Sequence, residues 1–175
     1  MTDLRYPIGK PQYKQDLTDA DRAALIAEFA IAPAQLSAAV ATLSDQQLDT
    51  AYRPQGWTVR QVCHHLPDSH SNGYIRAKLA LTEENPVIKP YMEDRWADLD
   101  DSKLPIAVAL LHYTAIQARW HALWETIRGE QWQRSYIHPE YDQKFSIDYL
   151  LQLYSWHGQH HLAQINGLKF RQGWK

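Results

Sequence analysis

Four long stretches of this chain carry apolar residues at the spacing of an α-helix. The clearest stretch follows Pro105, a residue suited to a first helical turn, and its stripe contains Ile106, Ala109, Leu110, Tyr113, Ile116, Trp120, Leu123 and Ile127. Gly129 fits the end of this helix. Strand-like alternation is weak. The pattern therefore predicts an all-α fold, a four-helix bundle, in a single domain over residues 1–175.

The first and last of these helices have recognisable starts. Thr18 offers a capping hydroxyl for a helix that continues to about Leu43, with Pro33 as a kink or break. Ser146 caps the last helix, which we expect to run to about Phe170.

The second helix is opened by a capping box. Thr58 is the cap, Gln61 is placed to reach back to it, and the helix should run towards Thr82 with a local distortion at Pro67. Residues 84–104 contain prolines and acids and predict a long connection with one turn of helix at most. A connection of this length often has a function or crosses over the bundle.

Composition excludes several classes of protein. The 18 basic and 20 acidic residues give a net charge of −2, which excludes a strongly basic nucleic-acid binder. We find no apolar run close to the roughly 18 residues of a membrane span, and the first residues lack the apolar core of a secretory signal. Cys63 is the single cysteine, which suits a reducing compartment. We expect a cytoplasmic protein without nucleic-acid or membrane partners.

The last helix places two histidines on its apolar face. At about 100° per residue, His161 lies near the centre of the stripe, His157 lies on its flank, and His160 points away. Buried imidazoles need partners, because an unpaired polar group costs about 1–3 kcal/mol. A divalent metal would accept a lone pair from both rings, since the i,i+4 spacing presents two ligands to one ion. The alternative is a separate hydrogen bond from each ring to a facing helix.

A third ligand would come from the second helix. His65 lies three residues after Val62, at the edge of the apolar side, whereas His64 points more nearly away. We expect His64 and His70 to be solvated or at the boundary, and we assign no site role to His112, His121 or His138. Three histidines would leave positions open on the metal, as catalytic sites do and structural zinc sites do not. The pattern therefore favours an enzyme.

Several motifs together resemble the YfiT-type branch of the DinB-like superfamily. They are GWTVRQV at 56–62, HHL at 64–66, DSH at 68–70, Asn72, YIR at 74–76 and YSWHGQHH at 154–161, with YPIG at 6–9, LDT at 48–50 and LTEE at 81–84. The resemblance covers nearly the whole chain. Pro67 and Gly158 depart from the family pattern, one beside each presumed group of ligands.

The resemblance implies a four-helix bundle with one divalent metal ion per subunit, zinc or nickel, held by His65, His157 and His161. It further implies a metal-dependent hydrolase with a small-molecule substrate, and a homodimer. The wider superfamily includes S-transferases and an isomerase that use low-molecular-weight thiols such as bacillithiol, mycothiol or glutathione.

The residues around the presumed ligands leave the chemistry open. Gly158 stands where the H-E-x-x-H motif has its glutamate, which argues against thermolysin-like proteolysis. Asp68, one turn after His65, is the candidate catalytic acid; it could act as a general base, orient His65, or be an ordinary solvated acid. Because coordination deprotonates a thiol without a base, the missing glutamate favours thiol transfer.

Three hypotheses follow: a metal-dependent hydrolase that activates water, a metal-dependent thiol S-transferase that joins a metal-bound thiolate to an electrophile, and a non-catalytic metal-binding protein. Arg53, Arg60 and Arg76 could hold an anionic thiol, or each could be a surface arginine. The aromatic residues Trp57, Tyr74, Trp120, Trp124 and Trp156 could line an apolar pocket, or belong to the core.

Overall fold

The computed structural model describes residues 3–175, which are mostly helical. The four long helices are α1 (Asp19–Val40), α3 (Val59–Thr82), α5 (Ile106–Trp124) and α6 (Ile147–Gln172). The short helices are α2 (Asp45–Leu48) and α4 (Glu93–Ala97), with 3₁₀ turns at Asp100–Lys103 and Gly129–Gln133. An antiparallel hairpin of β1 (Ser135–His138) and β2 (Gln143–Ser146) precedes α6, with Ser135 paired to Ser146 and His138 to Gln143.

The long helices form a bundle in which sequence neighbours are not always spatial neighbours. Helices α1 and α3 each pack against both α5 and α6. Helix α1 therefore lies diagonally opposite α3, and α5 lies diagonally opposite α6. The chain crosses one end of the bundle between α1 and α3, and the opposite end between α5 and α6, where the hairpin is located. The predicted four-helix bundle is confirmed, and its diagonal connections are the feature that the helical pattern did not show.

Capping chemistry starts three of the long helices where we predicted. Thr18, Thr58 and Ser146 each accept a hydrogen bond from the backbone amide three residues later, at 3.2, 3.1 and 3.1 Å. The backbone amide of Thr58 also donates to Gln61 Oε1, which completes its capping box. These bonds satisfy amides that have no partner inside the helix.

Three expectations about breaks and strands were wrong. The break allowed for at Pro33 does not occur, because α1 is packed along its length and tolerates the loss of one backbone hydrogen bond; α3 likewise continues through Pro67. Helix α5 ends at Trp124, and Gly129, with φ of 52°, begins a 3₁₀ turn instead. The hairpin was not predicted, because its four-residue strands are too short to show alternation.

Helix α1 also corrects the expectation that no apolar run reaches the length of a membrane span. Its best 18-residue window has a mean hydropathy of 1.6, so it passes a test of length and composition. The core helix of a globular domain passes the same test. Here Phe29 and Leu36 are buried and α1 packs against α5 and α6, which accounts for its apolar residues.

Gly73 marks the closest approach of α3 to its neighbours. A Cβ atom at this position would lie within 2.5 Å of Trp120 Cη2 and would overlap the Tyr154 ring as well. Both of those side chains are buried, so neither can move aside cheaply.

We therefore expect Gly73→Ala to lower the free energy of unfolding by about 1–3 kcal/mol through overpacking. Urea denaturation followed by circular dichroism measures the change. Gly167→Ala on α6 is the matched control, because its Cβ would meet only the flexible end of Arg171. There we expect a gain of up to about 1 kcal/mol from helix propensity. Equal effects in the two variants would contradict the packing argument.

Candidate metal centre

Three imidazole nitrogens converge between α3 and α6. His157 Nε2 lies 3.3 Å from His65 Nε2 and 3.2 Å from His161 Nε2. One ligand atom from each of the three rings lies within 4.8 Å of the others. A tetrahedral zinc ion at the usual metal–nitrogen distance of roughly 2.0–2.1 Å holds its ligand nitrogens roughly 3.3 Å apart. The donor set therefore fits a divalent metal.

Gln164 determines which nitrogen of His161 is free. The Gln164 amide nitrogen donates to the Arg5 carbonyl at 3.0 Å and lies 2.9 Å from His160 Nε2, so its oxygen faces His161 Nδ1 at 2.9 Å. Because a carbonyl can only accept, the orientation of the amide is fixed. His161 Nδ1 consequently carries the proton and donates it to Gln164, which leaves the Nε2 lone pair directed at the cluster.

His70 contacts the other side of the cluster. Its Nε2 lies 3.3 Å from His157 Nδ1, and its side chain is completely buried. The ring is surrounded by aromatic rings, with centroids at 4.8 Å for Tyr154, 5.0 Å for Tyr113 and 5.8 Å for Phe29. The expectation of a boundary residue was wrong, because α3 is covered by neighbours on more than one side.

Burial keeps these rings neutral. It is the largest cause that lowers the pKa of His65 to about 4 and that of His70 to about 3. The pKa values of His157 and His161 are also lowered well below the usual value, first by burial and then by the neighbouring imidazoles. At neutral pH the cluster therefore offers lone pairs rather than positive charge, as metal coordination requires.

A cavity of about 470 Å³ opens beside the cluster. Its walls come from residues 5–6, residues 52–57, α3, residues 90–94, the hairpin and α6. The long connection is held to the hairpin by hydrogen bonds from Ile88 N to Ile137 O at 3.0 Å and from Ile137 N to Pro86 O at 2.9 Å. Both crossings of the unusual connectivity thus contribute walls to the cavity that reaches the three imidazoles.

The structure separates the other predicted site residues. It does not bring Asp68 to the cluster: this half-buried carboxyl faces Asp101, His64 and His112, and burial raises its pKa. Arg60 pairs with Asp49 at 2.6 Å and takes no part in the cavity, whereas Arg53 and Arg76 line it. Of the aromatic candidates, Trp57 and Trp156 line the cavity, and Trp120, Trp124 and Tyr74 do not.

Several other residues near the cluster were missed by the sequence reasoning. His64 is buried and its Nε2 lies 3.1 Å from the Leu104 carbonyl, not in solvent. His160 is buried by stacking on Trp156, with ring centroids 4.4 Å apart. His138 on β1 is buried and lines the cavity. For Gln164, the i,i+3 spacing from His161 was a readable signal.

Gly158 has a packing role between the two ligands of α6. A Cβ atom there would lie 3.1 Å from Tyr113 Oη and 3.3 Å from Ala32 Cβ. Helix α6 therefore approaches α1 and α5 closely at the level of the cluster, and a larger side chain would displace the ligands.

Comparison with known proteins agrees with this architecture. The family model of the DinB superfamily matches residues 28–165. The chain belongs to the DinB superfamily.

Similarity extends over the full length of individual DinB proteins. Proteins named "putative metal-dependent hydrolase" from Bacillus cereus (strain B4264) and Bacillus anthracis (strain CDC 684) are 47% and 46% identical over 174 residues, covering 99% of this chain and 100% of each relative. The solved structure of YfiT from Bacillus subtilis is 43% identical with a TM-score of 0.96, covering 98% of this chain and 99% of that one. YfiT is described as "a probable metal-dependent hydrolase with an unusual four-helix bundle topology". The predicted family and fold are thereby confirmed.

The hydrogen bond from His161 to Gln164 leads to a prediction about metal affinity. We expect Gln164→Leu to weaken zinc binding roughly 10- to 100-fold, because His161 loses the acceptor that fixes its tautomer. Competition with a chromophoric chelator measures the affinity. Gln159→Leu on the same helix is the control, since Gln159 bonds only Gln35. Unchanged affinity in Gln164→Leu would show that the amide does not orient the ligand.

The buried neutral histidines also predict how the metal-free protein responds to acid. An unfolded histidine binds a proton near pH 6.5, whereas folded His65 does so near pH 4. Stability is therefore full above pH 6.5 and falls as the pH drops towards 4, by up to about 1.4 kcal/mol per pH unit for each such histidine. Urea denaturation at pH 7.5, 6.5 and 5.5 should show the fall. Removal of the exposed His112 by His112→Asn should not reduce the slope, and a flat profile would contradict neutral burial.

Proposed function

We propose that this DinB protein is a metal-dependent hydrolase that acts on a small molecule, with His65, His157 and His161 as the metal ligands. The observation that supports this most is the convergence of three nitrogens from neutral imidazoles at the wall of a cavity of about 470 Å³. A cavity of this size suits a small molecule. The descriptions of YfiT and of the Bacillus relatives point to the same class of activity.

Zinc or nickel is the metal we propose, because imidazole ligands suit both. A divalent ion held by neutral ligands keeps its charge, and it would supply Lewis acidity that polarises a substrate oxygen or acidifies water. The chain's own contribution is to hold the ligands in the correct tautomer through Gln164 and to exclude bulk water with Trp57 and Trp156 at the cavity wall.

Proton transfer has few candidates close to the cluster. In residues 3–175, no carboxylate belongs to the group of potential ligands. His160 Nε2 already accepts a hydrogen bond from the Gln164 amide, so its lone pair is not available. Glu93, Asp94 and Glu140 line the cavity with exposed carboxylates. In hydrolysis, we propose that the proton passes through water to one of these carboxylates.

The lack of a carboxylate in the ligand group of residues 3–175 favours a second candidate, a metal-dependent thiol S-transferase. A thiol coordinated to a metal loses its proton without an adjacent carboxylate. Bacillithiol or glutathione would be the co-substrate, and the cavity would receive an electrophile. The two candidates share the three ligands and differ in the acceptor of the transferred group, so one set of assays separates them.

The remaining proposals concern cellular location and oligomeric state. A cytoplasmic homodimer is proposed, with the outer side of α5 as a contact surface. Leu104, Val108 and Leu111 are exposed along it, Leu111 by 73%, and such a row of apolar side chains is typical of an interface.

The experiment is to load the protein with zinc or nickel and assay it with 4-nitrophenyl esters, and in parallel with glutathione or bacillithiol plus 1-chloro-2,4-dinitrobenzene. Hydrolysis without conjugation supports the first candidate, and conjugation without hydrolysis supports the second. We expect His65→Ala to lose the metal, by elemental analysis, and at least about 100-fold in kcat/KM, because the metal supplies the main electrostatic stabilisation.

The matched control is His64→Asn, which changes the adjacent histidine that bonds Leu104 outside the cluster. We expect this variant to retain metal and activity. Circular dichroism shows whether each variant folds. Tight metal binding in the wild-type protein with no turnover in either assay would favour the non-catalytic alternative.

A further inference from the structure

Arg76 lines the cavity from α3 without a partner of its own. Three other arginines form ion pairs: Arg22 with Asp148 at 2.8 Å, Arg60 with Asp49 at 2.6 Å, and Arg134 with Glu84 at 3.1 Å. Of the further cavity arginines, Arg5 lies over the Tyr6 ring and Arg53 bonds Tyr52 and Pro54. Within residues 3–175, half-buried Arg76 forms neither an ion pair nor a hydrogen bond. A guanidinium withdrawn from bulk water gains free energy when an anion occupies the fork of its donors.

His138 faces the same part of the cavity and is also unsatisfied. The residue is only 8% exposed, and its Nδ1 is enclosed by protein without a hydrogen-bond partner. Within residues 3–175 its Nε2 forms no hydrogen bond either, so Nε2 is the ring atom available to a ligand in the cavity. Arg76 and His138 line the same cavity. Burial, and after it the positive charge of Arg76, lowers the pKa of His138. A neutral imidazole beside a guanidinium can donate one further hydrogen bond to an anion. The hairpin thus contributes a second polar group that lacks a ligand.

The position of Arg76 relative to the three imidazoles follows from helix geometry. Arg76 lies about three turns after His65 on α3, which places it on the same face and roughly 16 Å further along the axis. Ser69, between them, also lines the cavity. Arg76 and the cluster thus lie towards opposite ends of one cavity, which both of them line. A ligand can therefore contact both ends at once.

We infer that the substrate carries a carboxylate at the end remote from its reacting group, and that Arg76 and His138 bind this carboxylate. A single carboxylate fits better than a polyphosphate, because Glu93, Asp94 and Glu140 also line the cavity and would repel a larger negative charge. A carboxylate also matches the planar guanidinium with two parallel hydrogen bonds. The position of the reacting group at the three imidazoles rests on the proposed function. The binding of the carboxylate by Arg76 and His138 does not.

The first test uses the metal-free protein and needs no activity. Calorimetry compares octanoate with octanamide, two ligands of the same length that differ in charge. We expect octanoate to bind at least about tenfold more tightly, because a charge-assisted bidentate pair replaces a neutral contact. Arg76→Met should abolish this preference. Arg53→Met, which changes a cavity arginine that bonds Tyr52 and Pro54, should retain it.

Two results would overturn the carboxylate subsite. One is equal affinity of the wild-type protein for octanoate and octanamide. The other is a preference for octanoate that survives in Arg76→Met. Circular dichroism and urea denaturation of Arg76→Met establish that it is folded, as we expect for a side chain without partners in the protein.

The second test connects the two ends of the cavity. With metal-loaded protein, kcat/KM is compared for mono-4-nitrophenyl suberate and the uncharged 4-nitrophenyl octanoate. We expect the kcat/KM of the charged ester, divided by that of the uncharged ester, to fall roughly tenfold in Arg76→Met. Arg53→Met should preserve this ratio. Hydrolysis without a preference for the charged ester would overturn the subsite. If neither ester is hydrolysed while octanoate still binds through Arg76, the hydrolase proposal fails and the subsite is supported.

Discussion

Partners for the ring nitrogens that face protein stabilise the neutral imidazoles of the cluster, and neighbouring side chains supply them at His161 and His157. Gln164 accepts from His161, and His70 contacts His157, so the remaining nitrogens point towards one another. In the metal-free chain, mutual approach of lone pairs at 3.2 and 3.3 Å is unfavourable. A cation between them changes repulsion into attraction, which couples metal binding to the packing of α3 against α6.

The diagonal connections explain why the cavity lies where it does. In a simple up-and-down bundle, short loops join adjacent helices and leave the bundle end open. Here the chain crosses the bundle at opposite ends. Before α3 it crosses near the C-terminal end of α6, where Arg171 donates to the Tyr52 carbonyl, and before α6 it crosses near the C-terminal end of α3, where Arg134 donates to the Ala80 carbonyl. The crossing segments, together with the long connection, become walls around the imidazoles. The crossing segments supply Arg53 and His138 to the cavity, and the long connection between α3 and α5 supplies Tyr91.

Helical geometry on single elements predicted the three proposed ligands, because His65, His157 and His161 all lie on or beside an apolar stripe. It did not predict His70, since an angular argument treats a helix as having one buried side and α3 has several. Asp68 was chosen for its nearness in sequence, yet three residues along a helix turn a side chain about 60° from its starting direction. That rotation places the carboxyl beside Asp101 and not beside the cluster.

Contacts with the backbone of a distant segment could not be predicted from the sequence, even where a spacing such as that of Gln164 from His161 was readable. The role of Gln164 depends on the Arg5 carbonyl, and the two meet only after folding. His138 reaches the cavity because Lys144 pairs with Ile137 in a hairpin whose strands are four residues long. No periodic pattern in the sequence carries such information.

The contact between Gln164 and the Arg5 carbonyl constrains the path of the chain and not the type of residue at position 5. Any amino acid presents the same carbonyl oxygen, so Arg5→Ala would leave the tautomer of His161 intact. The tautomer depends on the path of the backbone at position 5. The neighbouring Tyr6 ring, whose centroid lies 5.6 Å from that of His160, helps to define this path. The residue at position 5 can therefore vary while the geometry at the imidazoles is maintained. Only a shift or loss of the segment itself would show that the His161 tautomer depends on it.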